Sequence, residues 1–280
     1  WNNSFSSFVS LARFGVPVFG TRMLSFVCAR TADFIVVTMF GTATLGLYTA
    51  GTRLYQTIMY LLQAVLSDVG LTLLTKIAHD RPRLAALYLN TASTSVAIIS
   101  PIFVMLAALA PEIGYVLFGE KWASIDLIIR PFFLLGAIQC TQFLNGSDYS
   151  AAGKPVFLFY LNLLRLTAQI PVFLFCRDGN VFTFVLWFCI AETVVTIPSY
   201  YFVCEVLGIK IKDLIGRVWP FITSSLATFS IISCLHHDIS LLITNQLIRG
   251  IVIGAIFVCI YGLCVAVIGR GQIKQTFQFL

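Results

Sequence analysis

The sequence predicts an all-α polytopic membrane protein with eight transmembrane helices, and three observations lead there. Of the 280 residues, 59% are hydrophobic and only 11% charged, with a mean hydropathy of +0.92. A soluble domain is about a quarter charged, so a water-soluble fold would lack the polar residues to cover its surface. Apolar stretches also recur along the whole chain, each long enough for the roughly 20 residues a membrane helix needs. Finally, the charges that do fall inside these stretches keep to one helical face, as expected of groups that meet a bundle interior or a watery cavity rather than lipid.

The first span, Arg13 to Gly41, shows this most clearly: it carries Arg22, Arg30 and Asp33 well inside an apolar run. At about 100° per residue these three fall within an arc of roughly 80°. Residues 1–12 read as an amphipathic lead-in segment along the membrane surface, and Gly15, Pro17 and Gly20 can bend the helix that follows. The GTATLG connection leads to a second span, Leu45 to Thr75, closed by the basic loop from Lys76 to Arg83. A third span, Leu87 to Leu117, is expected to break at Pro101 and ends in FGEKW, whose Trp122 suits interfacial depth.

The fourth span runs from Ile125 to Tyr149 and stops at SAAGKP, where Gly153 and Pro155 end the helix. The fifth, Val156 to Cys176, and the sixth, Val181 to Val206, flank the CRDGN turn. A basic amphipathic link, residues 207–217, precedes two further spans, Val218 to Leu235 and Leu247 to Ile268, and residues 270–280 form a tail. With eight spans both ends share one side. That side holds Arg13, Lys76, Arg81, Arg83, Lys154, Lys210, Lys212, Arg217, Arg270 and Lys274, whereas the opposite loops hold Lys121 and Arg177, with Arg130 and Arg249 near that face. The positive-inside rule then puts both termini of this chain in the cytoplasm.

Two constellations stand out. Arg53, Gln56, Tyr60, Gln63 and Ser67 are spaced 3, 4, 3 and 4 apart, a continuous polar stripe that points to water along the second helix. Arg53 and Asp33 sit at similar depth, roughly 12 to 14 Å below the outer ends of their helices, so a pair between them is geometrically allowed. On the fifth span Asn162, Arg165 and Gln169 share a face, as do Glu192, Thr196 and Ser199 on the sixth. Arg165 and Glu192 both fall near the midplane, where they can neutralise each other or couple a cation. The alternatives are packing roles, hydrogen bonds between helices for the stripe and register fixing for the ion pair.

Catalytic chemistry finds little support. The eight cysteines lie within or at the ends of apolar spans with no CxxC, and His79, His236 and His237 gather no metal-ligand cluster, so neither cofactor nor metal is expected. His236, His237 and Asp238, read as a short outer loop, are the nearest approach to a catalytic set, and neither GxGxxG nor a Walker loop occurs. The polar opening WNNSFSS shows no signal peptide, and a chain starting at Trp1 reads as part of a longer protein. The positive charge is explained by membrane topology, and nucleic acid is not an expected partner.

The blocks RFGVPVFGTRMLSF, GLYTAGTRLYQ, LAPEIGYVLFGEKW and LNGSDYSAAGKP with LNLLRL, covering Arg13 to Leu166, resemble the bacterial oligosaccharide and polysaccharide flippase family, of the O-antigen type within the multidrug and oligosaccharidyl-lipid exporter superfamily. The resemblance implies two six-helix lobes around a central cavity, with this chain supplying one lobe, residues 13–206, plus two additional helices, residues 218–269. It also implies transport of a lipid-linked oligosaccharide across the bacterial inner membrane for polysaccharide or lipopolysaccharide synthesis, with a coupling cation, a polysaccharide polymerase and other export proteins as further partners. On that reading Arg22, Arg30 and Arg53 bind pyrophosphate or acidic sugars, with Asp33, Gln56, Tyr60 and Gln63 lining the same cavity. Asp33 and Glu192 balance charge or couple cations. A multidrug antiporter of the same superfamily should show more carboxylates than arginines in its cavity. A membrane-bound glycan polymerase or ligase needs a large outer loop, and a non-transporting scaffold is separated only by a flux assay.

Overall fold

The computed structural model describes residues 2–77, 81–142, 156–176, 179–243 and 245–268, and the side-chain description omits 2–14, 17, 18, 65–77, 81, 123, 156, 237 and 268 of these. The tail 270–280, His79, the SAAGKP turn and the side chains of the lead-in segment and Ser67 therefore lie outside it. The described residues form α1 (Asn2–Ile77), α2 (Arg81–Ala108), α3 (Ala110–Phe118), a 3₁₀ turn (Glu120–Ile125), α4 (Asp126–Gln139) with a short 3₁₀ extension (Cys140–Gln142), α5 (Val156–Phe175), α6 (Val181–Leu207), α7 (Ile211–Leu242) and α8 (Gln246–Ile268). This is a multi-pass membrane protein. Among the described residues six helices are long and apolar enough to cross a bilayer, and the first of these apolar stretches, Phe19–Ala64, has 46 residues, about twice what one crossing takes. With α1 read as two legs and α4 added, the described residues supply eight helical passes.

The legs of α1 meet at Gly41, whose φ of 85° and ψ of 174° no L side chain adopts comfortably. The connection expected to occupy six residues is thus one glycine, because Thr42 to Gly46 already continue the second leg. Phe40 and Tyr48, on either side of the break, both pack on Phe184 of α6. No break separates residues 2–12 from the first span, since α1 is helical from Asn2.

The third span is interrupted at Leu109 (φ −89°, ψ 10°) and not at Pro101, through which α2 continues. The reason is positional: Pro111 sits in the first turn of α3, where its missing N–H has no partner to lose. The stretch after Gly208 likewise differs from a separate link. Gly208 caps α6 in the left-handed region, and Ile211 to Arg217 form the first turns of α7, with Leu214 and Val218 buried. Arg217 donates to Asn90 of α2, which pins this end.

Two hydrophobic clusters share α4. Ile125, Ile129, Phe133 and Ala137 join Tyr88, Val96 and Phe103 of α2 and residues of α7 and α8, whereas Ile128, Phe132 and Leu135 join α1, α5 and α6. Residues three and four apart thus serve one side, and their neighbours the other, which is why a helix of only 14 residues is apolar nearly all round. Gly51 lets the second leg lie on this helix, since a Cβ there would stand 2.7 Å from Ile128 Cγ2.

The two last helices are pinned to the rest by charge. Glu112 of α3 is buried and accepts from Arg249 Nε of α8 at 2.6 Å, with His236 Nε2 of α7 at 3.1 Å from the same oxygen. His236 lies inside α7, not in an outer loop, because the helix runs on to Leu242. The cysteines are all free, and among the described residues no group of three His, Cys, Asp or Glu side chains is placed to hold a metal.

Candidate functional site

Charged and polar groups from α1, α4, α5 and α6 converge on one cavity of about 400 Å³. The first leg supplies Ser25, Arg30 and Asp33; the second supplies Thr49, Thr52, Arg53, Tyr55 and Gln56; α4 supplies Gln139, α5 Arg165 and Gln169, and α6 Glu192. The helical spacing explains the convergence. Arg30 and Asp33 are one turn apart, Thr49, Thr52, Arg53 and Gln56 follow at three and four, and Arg165 and Gln169 are four apart, so each helix offers one polar edge to a common point.

Among the described residues, the cavity's charges are arranged in two pairs and one open cation. Arg30 Nη1 lies 2.8 Å from Asp33 Oδ2, with the arginine side chain 66% exposed and its guanidinium stacked over Phe26. Asp33 is therefore paired along its own helix and not with Arg53, since a neighbour one turn away reaches it without spanning the cavity. Arg53 is exposed at the cavity wall. Deeper in, Arg165 Nε lies 2.8 Å from Glu192 Oε2, the arginine side chain 36% exposed and the glutamate 8%. Gln169 and Gln139 line the cavity beside the same carboxylate. Gln139 Oε1 also accepts from the Tyr55 hydroxyl at 2.9 Å. Asn162 links this point to the first leg, its Oδ1 accepting from Arg165 Nη1 at 3.5 Å and its amide donating to Ser25 Oγ at 2.8 Å.

The structure thus brings together Arg30, Asp33, Arg53, Gln56, Arg165 and Glu192 from the sequence-predicted set. Arg22, Tyr60 and Gln63 are exposed on the legs of α1 but lie outside the cavity lining. Gln139 and Tyr55 were not singled out by the sequence. Gln139 is the polar residue that ends the apolar run of α4, which is its one visible signal. Chemically the cavity carries three arginines against two carboxylates, with hydroxyls and amides around them. Its excess is one positive charge, and planar guanidinium groups can hold phosphate or carboxylate oxygens in pairs.

Residues 1–126 match the family described as "Polysaccharide biosynthesis protein". The chain is similar to the "Succinoglycan biosynthesis transport protein ExoT" of Rhizobium meliloti (strain 1021), 24% identical over 275 residues, which are 95% of this chain and 54% of that protein. It also resembles the "Amylovoran biosynthesis protein AmsL" of Erwinia amylovora, 23% identical over 236 residues, covering 82% of this chain and 59% of that one. The backbone matches the solved structure "Lipid II flippase MurJ, inward closed conformation" with a TM-score of 0.72 at 18% identity, over 96% of this chain and 56% of the flippase. The fold is therefore the flippase fold, and the chain spans little more than half the length of the relatives it matches. These matches agree with the resemblance carried by the RFGVPVFG, GLYTAGTRLYQ and FGEKW blocks.

Proposed function

We propose that the protein to which this chain belongs is a flippase that moves lipid-linked oligosaccharide from the cytoplasmic to the outer leaflet of a bacterial inner membrane. The observation that carries this reading is the cavity in which Arg30, Arg53 and Arg165 converge on a backbone of flippase fold. A lipid-linked sugar presents a diphosphate that needs charge-assisted donors and a sugar that needs only a wet, polar passage. Two carboxylates against three arginines favour an anionic head group over the cationic drugs of a multidrug antiporter. The chain performs no covalent chemistry in this account. Its charged wall is completed by a second lobe of the full protein, and polymerase and other export proteins take over the product. The hydrophobic and arginine-bearing first leg, with Phe19, Phe26 and Arg30 exposed, is the surface that faces that lobe.

Orientation follows from the basic loops, with both ends of this chain in the cytoplasm. Deleting the gene should therefore cause lipid-linked oligosaccharide to accumulate in the cytoplasmic leaflet with loss of surface polymer. Single cysteines at Arg81 and Lys212, in a cysteine-free full-length protein, should be shielded from an impermeant thiol reagent in intact cells, and one at Lys121 should label. Normal surface polymer in the deletion strain would remove the transport reading. Labelling at Arg81 and Lys212 but not Lys121 would invert the topology.

A further inference from the structure

The pair of Arg165 and Glu192 is built asymmetrically. Both atoms are in contact at 2.8 Å, but the arginine side chain is 36% exposed to the cavity while the glutamate is 8% exposed. An arginine in this position can be taken by an incoming anion, whereas its partner cannot follow it out. A carboxylate left behind at that depth, with an anion now beside it, is poorly solvated and repelled, and both effects favour its protonated form. A protonated carboxyl needs an acceptor for its new hydroxyl. Gln139 Oε1 is already taken by Tyr55. Gln169, 4% exposed, holds an Oε1 that has no hydrogen-bond partner among the described residues. Gln169 and Glu192 line the same cavity, and half a turn of the amide group decides whether its N–H or its Oε1 faces the carboxyl.

We infer that Arg165, Glu192 and Gln169 form a proton-coupled anion site: a diphosphate in the cavity takes Arg165, and Glu192 takes up a proton from water and, as a carboxylic acid, donates a hydrogen bond to Gln169 Oε1. This rests on the reading that the cavity holds an anionic head group. The charge balances. Arg165 remains protonated throughout, the ion pair to Glu192 is replaced by one to phosphate, and one proton enters from bulk solvent. Other titratable groups face this point: Arg30, Asp33 and Cys28 from the first leg, Arg53, Tyr48 and Tyr55 from the second, and Cys189 on α6 itself. Asp33 lies one turn from Arg30, whose five N–H donors can serve it and the ligand together, which leaves Glu192 as the carboxylate whose partner the ligand removes. By linkage, binding then draws in a proton and a lower pH strengthens binding by the same coupling.

The test is calorimetric titration of the detergent-solubilised full-length protein with geranyl diphosphate, in two buffers of different ionisation enthalpy across a pH series. Wild type should take up a proton fraction approaching ~1 per bound anion, with affinity rising by up to about tenfold per unit fall in pH. Glu192→Gln should bind with that additional uptake gone, and the difference between the two removes the ligand's own titration. Gln169→Leu should move the uptake to lower pH, because the protonated carboxyl loses its acceptor. Should Glu192→Gln fail to fold, the carboxylic-acid carbonyl band that binding produces in the wild-type infrared difference spectrum gives the same readout, and its absence overturns the inference. Wild-type binding without proton uptake, or equal uptake in Glu192→Gln, also overturns it while leaving the head-group reading in place. Failure of wild type to bind geranyl diphosphate at any pH overturns both.

Discussion

Replacing Arg30 and Arg53 together by glutamine in the full-length protein is expected to abolish surface polysaccharide while leaving the protein in the membrane at its normal level. Both side chains are exposed at the cavity wall, one on each leg of α1, so neither is fixed in a packed interior that would collapse without it. Removing a membrane charge lowers the cost of insertion, which argues against lost activity through failed assembly. A hydrogen bond to a charged group contributes about 1.5 to 3 kcal/mol, so losing two should weaken head-group binding by roughly a hundredfold or more. Arg30→Gln alone also leaves Asp33 without its partner at 2.8 Å, and adding Asp33→Asn should separate that effect from the loss of a ligand donor. Lysine at both positions should restore transport only partly, since it keeps the charge but lacks the planar fork. The readout is surface polymer in cells lacking the native transporter, with membrane abundance measured alongside. Full surface polymer from the double glutamine variant would assign these arginines to packing.

The second large effect is expected from the midplane pair. Glu192→Gln leaves Arg165 without its counter-charge, and breaking a fully buried pair from one side costs about 3 to 5 kcal/mol. Arg165 retains 36% exposure, so the expected loss of stability is smaller, about 1 to 3 kcal/mol. Arg165→Gln leaves the more deeply buried carboxylate unpaired and should be the worse of the two. The double variant should be more stable than the sum of the single losses predicts, by about 1 kcal/mol or more, when thermal unfolding of the solubilised protein is followed. Single effects that simply add would show that contact at 2.8 Å carries no coupling. A saturating diphosphate should return most of the stability of Glu192→Gln, because the anion replaces the missing charge.

Much of the fold is legible in the sequence because the bilayer imposes one dominant rule, a sufficient run of apolar residues, and the eight expected spans correspond to eight helical passes. Local geometry near prolines and glycines is less so. Pro101 and Pro111 look alike in the sequence, but only the second lies at a helix start, and that depends on the turn made at Leu109. The GIKIKDLIGR stretch carries charge that suggests a surface link, yet its apolar residues Leu214 and Val218 are four apart and bury on the bundle, so it joins α7.

For the cavity, periodicity places Arg30, Asp33, Arg53, Gln56, Arg165 and Glu192 on polar faces, because side-chain direction along a helix is fixed by 100° steps. It does not choose partners. Asp33 could meet Arg53 by depth, but Arg30 is one turn away and takes it. Equal periodicity also extends the stripe to Tyr60 and Gln63, which lie outside the lining. The contacts of Glu112 with His236 and Arg249 join residues 124 and 137 positions apart, and a single carboxylate in LAPEIGY gives no sign of either.

The central claim is that this charged wall carries an anionic, lipid-linked sugar across the membrane. It is tested most directly by reconstituting the full-length protein into vesicles loaded with a fluorescent lipid-linked oligosaccharide in both leaflets. Exchange between leaflets is then followed by quenching from outside. Wild-type protein should make nearly all of the label accessible to the quencher over time, and the Arg30→Gln, Arg53→Gln variant should leave the inner-leaflet half protected, as in protein-free vesicles. Protection persisting with correctly folded wild-type protein, or equal exchange by wild type and the double variant, would contradict the account.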